Sequence, residues 1–421
     1  MAPEPSDLQQ WRVDELCETG PVRHRGGERQ LATIGVMDAG MTPLLALSGQ
    51  EKAQLSALVQ AALEPNPFYE PGCLLPAAAH LPGGTEVSLA FVRDGDQMLA
   101  AVPTRRLLKL AGTAVITSRP FQVINLGTPL LAAGAPERTM DSLLSVLARE
   151  SGAGVLALEW LGDNGPVGHA VRCAAKRLRM PCRTYRQWER PVLNREGSAL
   201  CTKSRCTLCQ KCALLSPKRA KALSRWQRGI ARELGSPPEA TDRSGQPEWV
   251  ERYLSLESAG WKGGLGPGTG DLAHRPGHAE WFRESVRDLS MAGRARLFSL
   301  TAGPHLLAMF YMVRTPGRGA FAWAMSYDET FRPYAPGVQL LLETVRAFFQ
   351  EGEDVFYDSC TIPSTSHFSE FFPGSRTISN VAIGIGNAAA KAAVVAAPTC
   401  ALALRGARRR VRRLTSSWTV S

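Results

Sequence analysis

A strand–turn–strand–helix–strand order occurs twice in this chain, and that recurrence constrains the fold more than any other feature. Glu86–Arg93 alternates with Val87, Leu89 and Phe91 on one face, Asp94-Gly95 makes a turn, and Gln97–Thr104 returns as a second strand. Beyond the Gly127-Thr128-Pro129 turn, Met140–Ala148 carries an apolar helical stripe and Val155–Leu161 reads as a buried strand. The second half follows the same order: Arg296–Leu300, the Ala302-Gly303-Pro304 turn, Leu306–Val313, then a third strand over Gly319–Ser326. Pro336-Gly337 opens a helix through Phe349 with Leu341, Leu342, Val345 and Phe348 on one face, and Asp354–Ser359 is again a buried strand. Gly127 and Gly337 stand 210 residues apart, Val155 and Val355 200, so one α/β unit has been duplicated.

A length of 421 residues is too great for one ordinary core and fits two such units. The expected fold class is α/β (α+β), with two tandem domains, each a mixed, mostly antiparallel sheet flanked by helices. The expected divisions are a disordered segment at 1–35, a first domain at 36–198, a Cys-rich segment and basic connecting helix at 199–235, a second domain at 236–387, and an Ala- and Arg-rich tail at 388–421. An additional helix is expected over Gln50–Ala62, with Leu55, Leu58, Val59 and Leu63 on one stripe.

The net charge of +11 is uneven. Nine Lys or Arg and no acid lie between Cys201 and Arg232, and six Arg and no acid between Arg405 and Arg413, which leaves −4 for the remainder. Within the first patch Ser216 reads as an N-cap, Pro217 as the first helical residue and Gly235 as the stop. Leu223, Trp226, Ile230 and Leu234 form the apolar side of this helix, and Lys218, Lys221, Arg225, Arg228 and Arg232 a continuous basic stripe suited to an anionic partner.

Several short strings, taken in order, carry a family resemblance. The first half holds Asn66-Pro67-Phe68-Tyr69-Glu70-Pro71, Leu75-Pro76 and Leu126-Gly127-Thr128-Pro129-Leu130. The second holds Leu256-Glu257-Ser258-Ala259-Gly260-Trp261-Lys262-Gly263, Tyr327-Asp328-Glu329, Tyr334-Ala335-Pro336-Gly337 and Asp358-Ser359-Cys360. Over roughly residues 40–385 the chain resembles the BioF2-like acetyltransferases of the GNAT fold, associated with cellulose and exopolysaccharide biosynthesis. Its tandem arrangement is similar to the FemAB aminoacyltransferases. The resemblance implies two GNAT-like domains; the first lacks a matching Pro-Gly helix entry with acids nearby and is expected to be structural, leaving the second as the candidate active domain. The resemblance also implies acetyl-CoA or another acyl-CoA as co-substrate, with an amine or hydroxyl of a sugar, lipid or envelope precursor as acceptor.

Acyl transfer from a thioester needs a grip on the phosphate-bearing arm, a base for the nucleophile, and donors for the oxyanion. The start of the 336–349 helix, at Pro336, Gly337, Val338 and Gln339, is the expected cofactor-binding turn, since backbone N–H groups and the helix dipole favour phosphate there. Asp328, Glu329 and Asp358 end strands and are the candidate bases. Tyr334 and Tyr327 could protonate a leaving thiolate, and Trp261 and Lys262, with Tyr327, are candidate substrate-binding groups. The same residues also fit a non-catalytic tandem module that binds an anionic polymer or membrane, or a transferase that uses aminoacyl-tRNA. No sequence-specific nucleic-acid partner is expected.

Other motifs lead less far. Gly384-x-Gly386-x-x-Ala389 has the dinucleotide spacing, but no second strand or acid follows it. His274 and His278, separated by Arg275-Pro276-Gly277, read as loop histidines rather than a helical metal pair. Cys201, Cys206, Cys209 and Cys212 have a spacing that could ligate zinc or an iron–sulfur centre, although no metal is expected overall. The remaining six cysteines are scattered singly, and with no secretory signal at the N-terminus they point to a reducing, cytoplasmic setting. The small apolar stretch Ala388–Leu404 leading into Arg405–Arg413 has the pattern of a surface anchor at the inner membrane face, each Arg contributing about 1 kcal/mol near anionic lipid. The full chain is therefore expected to co-sediment with anionic vesicles at low salt while a chain ending at Ala397 stays in the supernatant. Equal partition of both would leave the tail no anchoring role.

Overall fold

The computed structural model describes residues 37–110, 113–195, 217–260, 263, 271–351, 353–362, 368 and 371–396. The basic tail, the four clustered cysteines, Ser216, Trp261 and Lys262 lie outside the described residues. In chain order the strands are β1 (Asp38–Pro43), β2 (Ser88–Asp94), β3 (Gln97–Leu110), β4 (Thr113–Thr117), β5 (Leu130–Leu131), β6 (Val155–Gly162), β7 (Cys182–Asn194), β8 (Glu239–Asp242), β9 (Ala295–Ala302), β10 (His305–Thr315), β11 (Gly319–Tyr327), β12 (Phe356–Asp358) and β13 (Gly374–Gly384). The helices are α1 (Gly49–Ala61), α2 (Pro71–His80), α3 (Pro136–Glu150), α4 (Pro166–Arg177), α5 (Pro217–Leu234), α6 (Pro247–Ala259), α7 (His278–Met291), α8 (Pro336–Glu351) and α9 (Ala388–Val395).

Local chemistry explains many of the boundaries. Ser48 and Glu51 form a reciprocal capping box at the start of α1. Proline takes the first position of α3, α4, α6 and α8, where its missing N–H costs nothing. Gly235 ends α5 with a left-handed φ of +68°, open to glycine without strain. The β2–β3 hairpin closes through Gly95-Asp96, with Asp94 paired to Gln97.

The duplicated order is present in three dimensions. In the first half β4 and β6 run parallel, joined across α3; in the second β11 and β12 run parallel, joined across α8. All other ladders are antiparallel. The two units nevertheless share one sheet, ordered β1-β2-β3-β4-β6-β13-β7-β12-β11-β10-β9-β8. β13, the last strand, lies between β6 and β7, and β7, from the first half, pairs with β12 of the second. Each unit thus completes its sheet with the other's closing strand. Sequence order alone suggested a separate sheet for each domain; the exchange of these two strands merges them.

The larger core runs through both halves, with Phe68 edge-on to Phe321 at 5.9 Å and a cluster of Trp281, Phe282, Tyr311 and Trp323. A second core lies under α5 and α8, where Ile230, Leu340, Leu341, Val345 and Phe348 are buried. Ile378, on β13 between β6 and β7, is fully buried. Ile378→Ala should lower stability by about 2–5 kcal/mol and shift a single urea transition for the whole molecule. Two separate transitions, only one of them shifted, would contradict the shared sheet.

Candidate functional site

β11 and β12 are paired only from Gly319/Phe356 to Phe321/Asp358. Beyond that point β11 continues to Tyr327 with only β10 beside it, so the two parallel strands part and leave a cleft. At the same place β11 carries a bulge. Tyr311 pairs with Ala324 and Met312 with Ala322, leaving Trp323 out of register, its indole N–H donating to the Val123 carbonyl at 2.8 Å. The chain then makes a short 3-10 turn over Glu329–Tyr334, passes Ala335 at φ +48°, and enters α8.

This entrance gathers most of the residues singled out from the sequence. Asp328 caps the turn, its Oδ1 accepting from the Thr330 N–H at 2.9 Å. Glu329 is exposed, with a carboxylate oxygen 3.9 Å from where a Cβ on Gly260 would stand. It therefore faces the end of α6. Tyr334 donates its hydroxyl to Glu233 of α5 at 2.6 Å, a bond that raises its pKa; a proton held in this way is a poor one to release to a leaving group.

Gly337 has a packing role in the structure. Both Pro336 and Gly337 are buried, and a Cβ on Gly337 would stand 2.8 Å from the Met325 sulfur and 3.5 Å from Tyr327. Glycine at this position lets α8 pack closely on β11, and a larger residue would have to displace the Met325 side chain. Gln339 is also buried, and its side-chain amide turns back to donate to the Tyr334 carbonyl at 2.8 Å. Among these four residues Val338 is the half-exposed one.

Asp358 stands apart. Its side chain is fully buried between Arg190 at 3.6 Å and Arg376 at 3.4 Å, and it accepts the Cys360 N–H at 2.7 Å. Arg376 reaches on to Glu64 at 2.6 Å, and Glu64 in turn accepts the Val167 N–H at the start of α4. A carboxylate held by two guanidinium groups and a backbone N–H suits an anchor between the halves better than a general base. Burial and the neighbouring Asp358 push the Cys360 thiol well up, so it is no nucleophile. Glu64, Arg190 and Arg376 carry no local sequence signal, since they come from a loop and two strands far apart in the chain.

The basic stripe of α5 faces outward: Lys218, Lys221, Arg225, Arg228 and Arg232 are exposed, and none has an acidic partner among the described residues. The opposite side packs through Ile230, with Leu223 and Leu234 half-buried. Gly229 lies against the Tyr334 ring, so α5 crosses the α8 entrance. The first-half strings serve packing. Asn66, fully buried, donates to the carbonyls of Leu126 and Thr128 at 3.2 and 2.8 Å and ties the two motifs together.

With this geometry in view, the comparisons are informative. Residues 218–362 match the acetyltransferase (GNAT) domain family. The GNAT segment spans α5, the bulged β11, the cleft and α8. A conserved protein of unknown function from Bacteroides thetaiotaomicron is similar in structure, with 9% identity, TM-score 0.51, and 82% of this chain and 99% of that one covered. L-PGS from Bacillus licheniformis is similar at 10% identity and TM-score 0.48, with 82% and 94% covered. FemX is similar at 9% identity and TM-score 0.48, with 79% and 95% covered. Identities this low speak to fold alone. No curated protein matches the chain. Among the described residues no helix is long and apolar enough to cross a membrane, and no group of three metal-ligating side chains occurs.

The two histidines differ in kind. His274 sits in a turn beside Asp271, whereas His278 is not a loop residue but the first residue of α7, buried, with Nδ1 donating to the Pro276 carbonyl at 2.9 Å. Burial, then Arg275, lower the His278 pKa from 6.5 to about 4. The unfolded chain therefore binds the proton more tightly, and the stability present above pH 6.5 is lost as pH falls toward 4. Denaturation midpoints of the wild type should drop across that window more steeply than those of His278→Gln. Parallel slopes would show that this imidazole does not contribute.

Proposed function

We propose that this protein is a GNAT-class acyltransferase that moves an acyl group from an acyl-CoA, acetyl-CoA first among them, to an amine or hydroxyl of a cell-envelope or polysaccharide precursor. The observation that carries the reading is the GNAT match over the segment in which β11 bulges, parts from β12 and leads into α8. The resemblance to BioF2-like proteins supports the envelope or polysaccharide acceptor. In the reaction the acceptor nitrogen or oxygen attacks the thioester carbonyl, the new C–N or C–O bond forms, the C–S bond breaks, and coenzyme A leaves as the thiolate. Glu329, at the mouth of the α8 entrance, is the residue we assign to take the acceptor's proton. The exposed cations of α5 beside it suit phosphates on the donor or acceptor, or an anionic membrane surface that brings the enzyme to lipid-linked acceptors.

A thermal-shift series with acetyl-CoA and longer acyl-CoAs should show saturable stabilisation. Glu329→Gln should keep that stabilisation and lose roughly 100-fold or more in transfer rate, the usual range for a general base. If no acyl-CoA stabilises the protein, the thioester donor is wrong, and an aminoacyl donor or a purely binding role takes its place.

A further inference from the structure

The first half contains a feature that the transferase reading does not use. Trp188 and Arg190 alternate along β7 and so share a face; they are 7% and 0% exposed. Three of their N–H-bearing nitrogens, Trp188 Nε1, Arg190 Nε and Arg190 Nη2, are buried and make no hydrogen bond. Arg190 Nη1 is occupied by the Asn125 carbonyl at 2.9 Å and the side of Asp358. What remains unpaired is the buried Nε–Nη2 edge of the guanidinium, whose two parallel N–H groups match the two oxygens of one carboxylate. Buried donors are ordinarily satisfied, so three together in one place mark a missing acceptor.

The surroundings point to the same conclusion. Trp160 stands edge-on to Trp188 at 5.7 Å, and the Arg190 guanidinium lies 5.2 Å from its ring. Arg119 also stacks on Trp160, at 3.9 Å, and Arg186 on Trp188, at 5.0 Å. Asp358 meets Arg190 on its Nη1 side and is shared with Arg376, which also pairs with Glu64. Trp160 is held at φ +60°, unusual for a bulky residue, in a bulge where β13 sets one residue, Asn380, against Glu159 and Trp160. Asn380 accepts the Trp160 N–H at 2.9 Å and keeps it there. Trp160 and Arg119 are half-exposed and Arg186 is exposed.

We propose that this aromatic-lined site in the first half binds a carboxylate, held two-point by Arg190 Nε and Nη2 with Trp188 Nε1 as the third donor. Its occupant would be a carboxylate-bearing acceptor; that step rests on the transferase reading, whereas carboxylate binding itself does not.

Full-length protein titrated with sodium acetate, against sodium chloride at equal ionic strength, should show saturable thermal stabilisation and a change in tryptophan fluorescence. Trp188→Phe keeps the ring and removes one donor; it should weaken acetate binding about tenfold. Arg190→Lys keeps the charge opposite Asp358 but removes the fork, and should abolish saturation. A response to acetate no larger than to chloride, or Trp188→Phe binding as tightly as wild type, overturns the proposal. Saturation by inorganic phosphate but not acetate overturns the carboxylate assignment. Since the readout is binding, acyl-CoA can fail to stabilise the protein while acetate still binds, and the reverse, so the two readings fail separately.

Discussion

The exchange of β7 and β13 is the constraint on which the rest of the molecule depends. β13 satisfies its backbone on both sides, against β6 through Gly384/Val155 and against β7 through Ile383/Cys182. Removing it would expose two strand edges in the middle of the sheet, each a row of unpaired N–H and C=O groups. Neither unit has a complete sheet of its own, so the duplicated units behave as one folded body.

The charged cluster is a consequence of this arrangement. Arg190 lies on β7, Arg376 is its direct neighbour on β13, Asp358 ends β12, and Glu64 comes from the loop after α1. Two adjacent arginines across a buried ladder would repel unless carboxylates lay between and beside them, and Asp358 and Glu64 supply these. Such a cluster adds little net stability relative to a well-packed apolar seam, but losing one member leaves a buried charge uncompensated, at a cost of about 3–5 kcal/mol. It therefore favours one strand register over its neighbours more than it strengthens the fold. A shift by one residue would turn Arg190 and Arg376 to the opposite face.

How much of this was legible in the sequence depends on range. The hairpins, α3, α8 and the two parallel strands were readable, because period, proline position and turn residues are local signals. Gly337 was rightly picked out as special, but the reason lay in Met325 and Tyr327, twelve and ten residues away and unmarked by any spacing. The seam was not readable at all. Glu64 and Arg376 are 312 residues apart, and β7, with its run of charged residues, resembles an edge strand although it lies at the centre of the sheet. Near its start consecutive positions, Arg183 with Thr184 and Arg186 with Gln187, are exposed, and only from Trp188 to Val192 does one side turn inward, with Trp188, Arg190 and Val192 buried and Glu189 exposed.

Comparison of the two units shows how duplication has been used. In each, the parallel pair of strands parts after three residue pairs, and in each a non-glycine residue with positive φ follows just beyond: Trp160 after Ala157, Cys360 after Asp358. The irregularity falls three residues past the last pair in the first unit and two past it in the second, in keeping with the duplication inferred from the 210- and 200-residue offsets. The side chains placed there have diverged. In the second unit the position is closed by Asp358, two arginines and a thiol kept protonated by burial, and the open chemistry moves to the exposed turn before α8. In the first unit the position is walled by two tryptophans, and Trp188 Nε1 and the Nε–Nη2 edge of Arg190, the same guanidinium that meets Asp358 through Nη1, are without acceptors. A cleft that had become only structural would be expected to lose buried unsatisfied donors, since each costs about 1–3 kcal/mol and apolar replacements are available. The carboxylate site proposed above would account for their retention.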